Sequence, residues 1–214
     1  MKKAKHNIGL FIAGLLFMLI ANNVNAQMIA SGSNSNSSFF MCTVPGHPQA
    51  SGDNSSGQLG NGTTTNIDWP LPIGGISTIA TISSGPTHTL FLQSNGAVYA
   101  SGSNAYGQLG IGSTFDSPFL VQVVGPSNVI GIAAGSNFSL FLLSDSSVWA
   151  CGYNANGQLG DGTTTNRVFP VKVRGVSNVG FLSGIVAIAA GNNHSLFIKR
   201  ESNGDKRAMA CGSN

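Results

Sequence analysis

Few residues of this sequence have the chemistry or the spacing of a catalytic or metal site. The three cysteines, Cys42, Cys151 and Cys211, lack the Cys-x-x-Cys or Cys/His spacing of zinc sites. Cys151 and Cys211 stand between alanine and glycine, where two other copies of the same motif have Ser51 and Ser101. Exchange of cysteine with serine is typical of a small side chain in a tight place. We therefore predict buried thiols rather than a disulfide framework, with Cys42 left unassigned.

The histidines and carboxylates do not form a recognisable catalytic group. His88 and His194 occupy one position of a repeat, and Phe138 occupies it in the copy between them. This exchange argues against a shared metal site, so we expect packed histidines whose ring nitrogen meets a backbone group. The seven acidic residues form no local pair or triad for acid–base or nucleophilic chemistry. The sequence thus predicts a protein that is not an enzyme, with no catalytic residue, cofactor or metal.

A glycine-rich segment occurs three times, and glycine-rich loops can bind phosphate. A phosphate loop of the Walker type needs a lysine after its second glycine, and no lysine stands near any copy. A structural role accounts for more of the motif's residues than phosphate binding does. Glycine adopts left-handed turns, and Asn and Gln side chains can hydrogen-bond to backbone groups of a turn. The leucine can pack on the adjoining repeat. We assign this role to the motif Gly57, Gln58, Leu59, Gly60 and its copies Gly107, Gln108, Leu109, Gly110 and Gly157, Gln158, Leu159, Gly160.

The spacing of this motif defines the elements that position it. Gln58, Gln108 and Gln158 are 50 residues apart, which marks an internal repeat. Each repeat contains four short apolar runs, too short for helices and rich in Val, Ile, Leu and Phe. Four strands in a repeat of this length make one blade of a β-propeller. The predicted fold is all-β, with blades of four antiparallel strands in units of about 27–75, 76–125, 126–175 and an incomplete 176–214.

The first 26 residues have the pattern of a secretory signal peptide. Three lysines precede an uncharged apolar run over 8–20, and polar residues lead to Ala26. That run has 13 residues, whereas a spanning helix needs about 20. We expect cleavage after Ala26, no stable membrane anchor, and a location that is secreted, periplasmic or at the cell surface.

Removal of this segment changes the charge balance. The rest of the chain has seven basic and seven acidic residues, so a general nucleic-acid binder is not expected. The charge is uneven, because 27–166 carries five Asp and no Lys or Arg, while 167–214 carries seven basic and two acidic residues. Four of the basic residues fall in 199–207, which we interpret as a solvated hairpin tip.

The repeat resembles that of the regulator of chromosome condensation family. The resemblance rests on Ile-Ala-Ala-Gly, Val-Trp-Ala-Cys-Gly, Gly-Gln-Leu-Gly and Pro-Val-x-Val in this order, and it covers about 28–214. One position departs from the family pattern. The family commonly has a tryptophan just before the first glycine of the repeat, whereas this sequence has Ser51, Ser101, Cys151 and Cys211 there. The resemblance implies a seven-bladed ring, of which the strand candidates supply nearly four blades. Because the sequence stops just past Gly212, where the next motif is due, we expect a truncated gene model or a fragment.

These features favour an exported, non-catalytic scaffold that binds a protein or surface polymer outside the cytoplasm. Sequence variation in the loops lies beside the fixed motif, where Tyr106 and Tyr153 are the candidate contact aromatics. Packing of these tyrosines on neighbouring blades is an equal alternative. The resemblance also implies another function, a secreted inhibitor or regulator of an enzyme, since a secreted bacterial inhibitor of β-lactamases has this fold. Guanine-nucleotide exchange on a nuclear GTPase, the role of the family's founder, disagrees with export.

Overall fold

The computed structural model describes residues 26–30, 35–42 and 48–213, with side chains for 35–40 and 48–213. These residues form fifteen short β-strands and one 3-10 turn. The predicted signal peptide lies outside the described residues, apart from Ala26, which begins the first strand. Within the described part of the chain, no helix is long and apolar enough to cross a membrane.

The strands form four antiparallel sheets, in which neighbours in sequence are neighbours in space. Sheet 1 contains β1 (Ala26–Ala30), β2 (Ser37–Cys42), β3 (Gln49–Gly52) and β4 (Ile67–Pro72). Sheet 2 contains β5 (Ile79–Ser84), β6 (His88–Gln93), β7 (Val98–Gly102) and β8 (Ser117–Gln122). Sheet 3 contains β9 (Val129–Ala134), β10 (Phe138–Leu143), β11 (Val148–Gly152) and β12 (Arg167–Lys172). Sheet 4 contains β13 (Ile185–Ala190), β14 (His194–Arg200) and β15 (Lys206–Gly212). The predicted all-β class with four-stranded antiparallel blades is confirmed.

The sheets radiate from a common centre, where their first strands lie side by side. β1 packs against β5, β5 against β9, and β9 against β13. The first strands end in small residues, and the hydroxyl of Ser83 accepts a hydrogen bond of 3.0 Å from the backbone N–H of Ala134 in the next sheet. Small side chains permit this close approach of the inner strands.

The second strand of each central sheet is buried on both faces. Every residue of β10 is buried, and in β6 only Gln93 is partly exposed. Successive side chains of a strand point to opposite faces, so a strand whose residues are nearly all buried must be covered from both sides. Neighbouring sheets provide that cover, as expected for propeller blades.

The core is divided into three clusters, each between two adjacent sheets. Between sheets 1 and 2, the rings of Phe39 and Phe91 meet edge to face with centroids 5.7 Å apart. The residues at the same two positions of the second strands also pack together at the next two junctions. These are Leu90 with Phe141 between sheets 2 and 3, and Leu140 with Phe197 between sheets 3 and 4. One face of each sheet therefore packs on the opposite face of the sheet that follows it.

Sheet 4, the last sheet that the structure describes, has an exposed face. Leu90 and Leu140 are fully buried, whereas Leu196, at the same position, is 43% exposed. The alanines that pair with Leu196 on either side, Ala189 and Ala210, are exposed as well. Residues paired across a ladder lie on one face, so these three form an apolar surface, called here the free face.

The loop 173–184, between β12 and β13, is longer than the corresponding loop 123–128. It contains a 3-10 turn over Val176–Asn178 and an isolated bridge between Arg174 and Phe181. Ser177 and Asn178 adopt positive φ angles of 56° and 63°. This loop lies beside sheet 4, where Val176 and Asn178 line a cavity together with Met209 of β15.

Candidate binding surface

Each of the first three sheets carries a loop between its third and fourth strands, at 53–66, 103–116 and 153–166. These are called the motif loops. Leu59, Leu109 and Leu159 are buried in the cluster between their own sheet and the following one. The structure thus places the three leucines in the junctions between sheets.

The first glycine of each motif has a left-handed backbone, with φ of 81° at Gly57 and 87° at Gly107. Both glycines lie against the fourth strand of the following sheet, where an added Cβ would meet Pro118 and Val168 respectively. A residue with a side chain would therefore be strained by its conformation and by this close contact.

A buried asparagine that the sequence analysis did not single out holds each motif loop together. The side-chain oxygen of Asn104 accepts a hydrogen bond from the backbone N–H of Leu109 (2.9 Å). Its Nδ2 group donates to the carbonyl oxygens of Ser113 (2.9 Å) and Phe115 (3.0 Å). Asn54 and Asn154 make the equivalent bonds. The signal was present in the sequence, because this asparagine precedes the motif leucine by five residues in all three copies.

The motif glutamines connect each loop to the following sheet. The side-chain oxygen of Gln108 accepts a hydrogen bond from the N–H of Tyr106 (3.0 Å), which fixes the turn. Its backbone oxygen accepts a 2.7 Å hydrogen bond from the hydroxyl of Ser139 in the following sheet. Ser101 and Ser195 donate in the same way to the backbone oxygens of Gln58 and Gln158. The loops are thus bound on both sides and form a rigid surface.

The predicted packed histidine at His88 is fully buried, but its partner differs from the expectation. Nε2 of His88 lies 3.0 Å from the hydroxyl of Ser139, rather than meeting a backbone group. Burial lowers the pKa of His88 to about 4, so the ring is neutral at physiological pH. His194, at the same position in sheet 4, is only partly buried. No described sheet covers it in the way that sheet 3 covers His88.

Cys151, Cys211 and Asp161 have local structural partners. Cys151 is a buried free thiol, and burial raises its pKa far above the ordinary range. Burial raises the pKa of the half-buried Cys211 to about 11, so it is not a reactive thiolate at neutral pH either. Asp161 of the third motif loop pairs at 2.7 Å with Arg167, the first residue of β12. Among the described residues, no group of three or more His, Cys, Asp or Glu side chains could hold a metal ion.

Tyr106 and Tyr153 lie together at the junction between sheets 2 and 3. Their ring centroids are 4.9 Å apart with an interplanar angle of 63°. Tyr106 is 38% exposed, and Phe115 of the same motif loop is 80% exposed. The two rings pack on each other across the junction, as the packing alternative predicts. Their contact with a partner stays a prediction.

This pair distinguishes one junction from the others. The equivalent positions are Ser56 and Ser103 at the preceding junction, and Asn156 and Ser213 at the following one. The backbone N–H of Tyr153 donates to the carbonyl of Asn137 (2.8 Å), so the second ring is also held on a fixed backbone. The sequence indicated the two tyrosines separately, but their contact follows from the way consecutive sheets pack.

Two further exposed groups were not predicted from the sequence. Trp69, Phe119 and Phe169 occupy one position of the fourth strands, and all three are exposed. Beside sheet 4, the cations of Lys172 and Arg174 lie 5.7 Å and 5.1 Å from the ring centroid of Phe181. Phe119 and Phe169 also cover glycines of the preceding motif loops, so they contribute to packing as well as to the surface.

Comparisons with known families agree with the repeat seen in the structure. The description of the matching family is "Regulator of chromosome condensation (RCC1) repeat", and its matches cover residues 50–92, 95–142 and 145–198. A second description of the same repeat matches 79–108 and 129–158. At the level of sequence, no curated protein matches this chain.

Several solved structures are similar to this chain in fold. The Prp20p protein of Saccharomyces cerevisiae, reported with its binding to Gsp1p and histones, is 24% identical with a TM-score of 0.68, over 88% of this chain and 46% of its own. The same yeast protein in complex with Kap60 gives 23% identity and a TM-score of 0.69, over 88% and 44%. Human WBSCR16 gives 21% identity and a TM-score of 0.71, over 83% and 45%. The chain therefore spans less than half the length of these proteins.

Proposed function

Because the chain belongs to the regulator of chromosome condensation (RCC1) repeat family, we propose that it is an exported scaffold that binds a protein outside the cytoplasm and turns over no substrate. Fold alone does not fix a partner, so the proposal depends on the surface of this chain. The two yeast structures named above concern protein partners, which supports a protein rather than a small molecule.

The tyrosine pair is the observation that carries this proposal. Interface anchors are enriched in tyrosine, and they bind best when little side-chain freedom is lost on binding. Tyr106 and Tyr153 meet this condition, since each ring restrains the other and both backbones are hydrogen-bonded. The exposed ring of Phe115 on the same loop enlarges the aromatic surface.

Export is supported by the signal-peptide pattern of residues 1–26. The non-catalytic role is supported by the state of the reactive groups, because Cys151 is a buried thiol, His88 is neutral and Asp161 is paired with Arg167. Mass spectrometry of exported material should show Gln27 at the N-terminus, and an intact Met1 in a membrane fraction would contradict export.

Inhibition of an extracytoplasmic enzyme is the second candidate function. It is favoured by the exposure of Phe115 on a loop whose carbonyl oxygens are held by Asn104, because a rigid protruding ring can fill a cleft. Both candidates use the same surface, so one experiment addresses them together.

The test compares Tyr106→Ala/Tyr153→Ala with the parent chain as immobilised bait for secreted and envelope proteins of the producing cell. We expect the double variant to lose the proteins that the parent retains, with a melting temperature within about 4 °C of the parent, since the rings are half-exposed. Trp69→Ala, which removes an exposed aromatic side chain elsewhere, should retain them.

Three outcomes would contradict the proposal. Unchanged capture by the double variant, together with lost stability, would assign the tyrosines to packing. Retention of cell-wall polymer instead of protein would replace the partner class. Hydrolysis or group transfer by the pure chain would refute the non-catalytic role, whereas reduced activity of a captured enzyme would select the inhibitor function.

A further inference from the structure

A cleft of about 330 Å³ lies at the junction between sheets 1 and 2. Its lining residues are Gly60, Asn61, Gly74 and Gly75 from the sheet 1 side, and Tyr99, Phe119 and Leu120 from sheet 2. Neither Tyr106 nor Tyr153 is among them, so the cleft is separate from the tyrosine surface. Ligand pockets in proteins measure about 300 to 1,000 Å³, so this cleft suits a ligand of one or two rings.

Three exchanges of residues distinguish this cleft from the same place at the next junction. Asn61, Gly74 and Tyr99 stand where the next repeat has Ile111, Val124 and Trp149. Ile111 and Trp149 pack against the cluster between sheets 2 and 3. A Cβ added at Gly74 would meet no described atom within 4 Å. The space that corresponds to the larger side chains is therefore open at the first junction.

The backbone N–H of Gly74 is one donor at this cleft. At the same repeat position, Val124 donates its N–H to the carbonyl of Gly110 (3.0 Å), and Arg174 donates to Gly160 (2.7 Å). Gly74 is exposed, and its N–H has no acceptor among the described residues. Backbone N–H groups are strong donors, so this one can bind a ligand.

The side chain of Asn61 offers a second donor with a fixed orientation. Its oxygen accepts hydrogen bonds from the N–H and the hydroxyl of Thr63 (3.0 Å and 2.9 Å). Asp161, at the same position, uses one oxygen in the same way and pairs the other with Arg167 at 2.7 Å. The apolar Ile67 stands in the place of Arg167, and no described acceptor pairs with Nδ2 of Asn61. The Nδ2 group is therefore free to donate to a ligand.

Two aromatic side chains supply the apolar part of the cleft. Phe119 is 64% exposed, and its ring lies against Gly62, where an added Cβ would be 2.7 Å away. An isolated bridge joins the backbones of Asn61 and Phe119, so the ring is held beside the amide donor. Tyr99 is half-buried and packs against the cluster between sheets 1 and 2. The face of an aromatic ring is negative and attracts C–H groups of a ligand.

The charge of the cleft restricts the ligand further. None of its described lining residues is charged. Transfer of an ionic ligand from water to such a site leaves its charge unpaired, which is unfavourable. A matching ligand is therefore neutral, with C–H groups on one face and hydrogen-bond acceptors at its edge. Pyranose rings have this combination.

We propose that this cleft binds a neutral saccharide. One pyranose ring stacks on Phe119, and its substituents accept hydrogen bonds from Nδ2 of Asn61 and the N–H of Gly74. A carbonyl is a better acceptor than a hydroxyl group, so an N-acetylated sugar is preferred to the plain sugar. This site does not depend on the protein-binding function proposed above, and its failure would leave that function untouched.

The probe is N,N′-diacetylchitobiose, and cellobiose is the comparison, because it has the same two rings and linkage without the acetamido groups. Each is titrated into the purified full chain and followed by heteronuclear NMR. We expect saturable binding at millimolar concentration, with shifts of the Gly74 N–H and Asn61 Nδ2 signals. Cellobiose should bind about fivefold more weakly, the value of one neutral hydrogen bond.

Two matched variants test the stacking ring. Phe119→Ala should weaken binding of N,N′-diacetylchitobiose at least about tenfold, because it removes the aromatic face. Phe169→Ala removes the ring at the same repeat position one blade later, outside the cleft lining. Because this site is distant, we expect it to change binding less than about twofold.

A further variant fills the cleft without removing a ring. Asn61→Ile/Gly74→Val copies the residues of the next junction, and the backbone at Gly74 does not have a positive φ, so it accepts valine. This variant should lose binding of both disaccharides while its melting temperature stays within about 4 °C of the parent.

Four outcomes would overturn the proposal. Absence of saturable binding of either disaccharide would remove the site. Unchanged binding by the filled variant, or equal losses in Phe119→Ala and Phe169→Ala, would place the sugar elsewhere. Tighter binding of a glucuronic acid disaccharide than of both probes would make the ligand anionic. Binding of toluene without either disaccharide would make the cleft a purely apolar site.

Discussion

A single asparagine organises each motif loop in place of regular secondary structure. Asn104 is fully buried, and its amide bonds one backbone N–H and two carbonyl oxygens that no strand satisfies. Buried backbone groups must find partners, so an isosteric side chain without the amide would leave two or three of them unsatisfied. This accounts for the defined conformation of loops of 14 residues that contain no regular secondary structure.

His88 gives a prediction on the dependence of stability on pH. Its pKa in the folded chain is about 4, below the value of 6.5 expected when unfolded, so the unfolded state binds more protons between these values. The free energy of unfolding should be constant above about pH 6.5 with respect to this group, and should fall as the pH decreases to about 4, by roughly 3 kcal/mol at most. Urea denaturation at several pH values measures this decrease.

The control is His88→Phe, since Phe138 fills the same repeat position in sheet 3. This variant should lose most of the decrease between pH 6.5 and 4. Hydrogen bonds from Ser147 lower the pKa of the Asp145 carboxyl below 3.8, so that group titrates mainly below this range. An equal decrease in the variant would show that other groups cause it.

At the scale of elements, the motif loop and the second strand of the next sheet form one packing unit. Leu109 lies in the cluster between sheets 2 and 3, together with Leu90 and Phe141. The loop also accepts a hydrogen bond from Ser139 of β10. Apolar packing and polar contacts thus connect the same two elements, which fixes the position of one blade on the next.

Leu109→Ala should therefore destabilise the chain by about 2 to 5 kcal/mol, the range for a buried leucine that leaves a cavity. Chemical denaturation measures the loss. The matched control is Leu196→Ala on the free face, where we expect a change within about 0.5 kcal/mol. Similar losses at both positions would contradict the assignment of Leu109 to the junction core.

At the scale of the molecule, the free face of sheet 4 has the same residue pattern as the faces that pack in the junctions between sheets. The junctions between sheets 2 and 3 and between sheets 3 and 4 each join a leucine-bearing face to a phenylalanine-bearing face, and Leu196 leaves a leucine-bearing face of sheet 4 exposed. Such faces in repeat proteins are normally covered by another repeat. Exposed apolar surface of this type promotes association.

We predict that the chain self-associates as its concentration rises, in a way that depends on this face. Sedimentation velocity should show oligomers for the parent chain and a shift toward monomer for Leu196→Lys. Phe115→Lys, which places the same charge on an exposed ring of a motif loop, should associate like the parent. A monodisperse parent at high concentration would contradict the prediction.

The sequence allowed the fold to be predicted because the repeat encodes it three times. The spacing of Gln58, Gln108 and Gln158 identified the blades, and the apolar runs identified the strands. Contacts between blades were harder to predict, since they depend on how far each sheet is rotated from the last. The contact between Tyr106 and Tyr153 belongs to this class. The contact of Asn178 with Gly162 does too, because Asn178 lies in the part of loop 173–184 that exceeds the length of loop 123–128, so no periodicity could indicate it.

The polar contacts between blades also have a direction along the chain, with a consequence for how the molecule is made. The backbone oxygens of Gln58, Gln108 and Gln158 each accept a hydrogen bond from the sheet that comes next in sequence. A junction is complete when roughly fifty further residues have emerged, and it requires nothing from more distant parts of the chain. A polypeptide delivered N-terminus first across a membrane can therefore assemble in the order of its delivery, with each finished blade serving as the template for its successor.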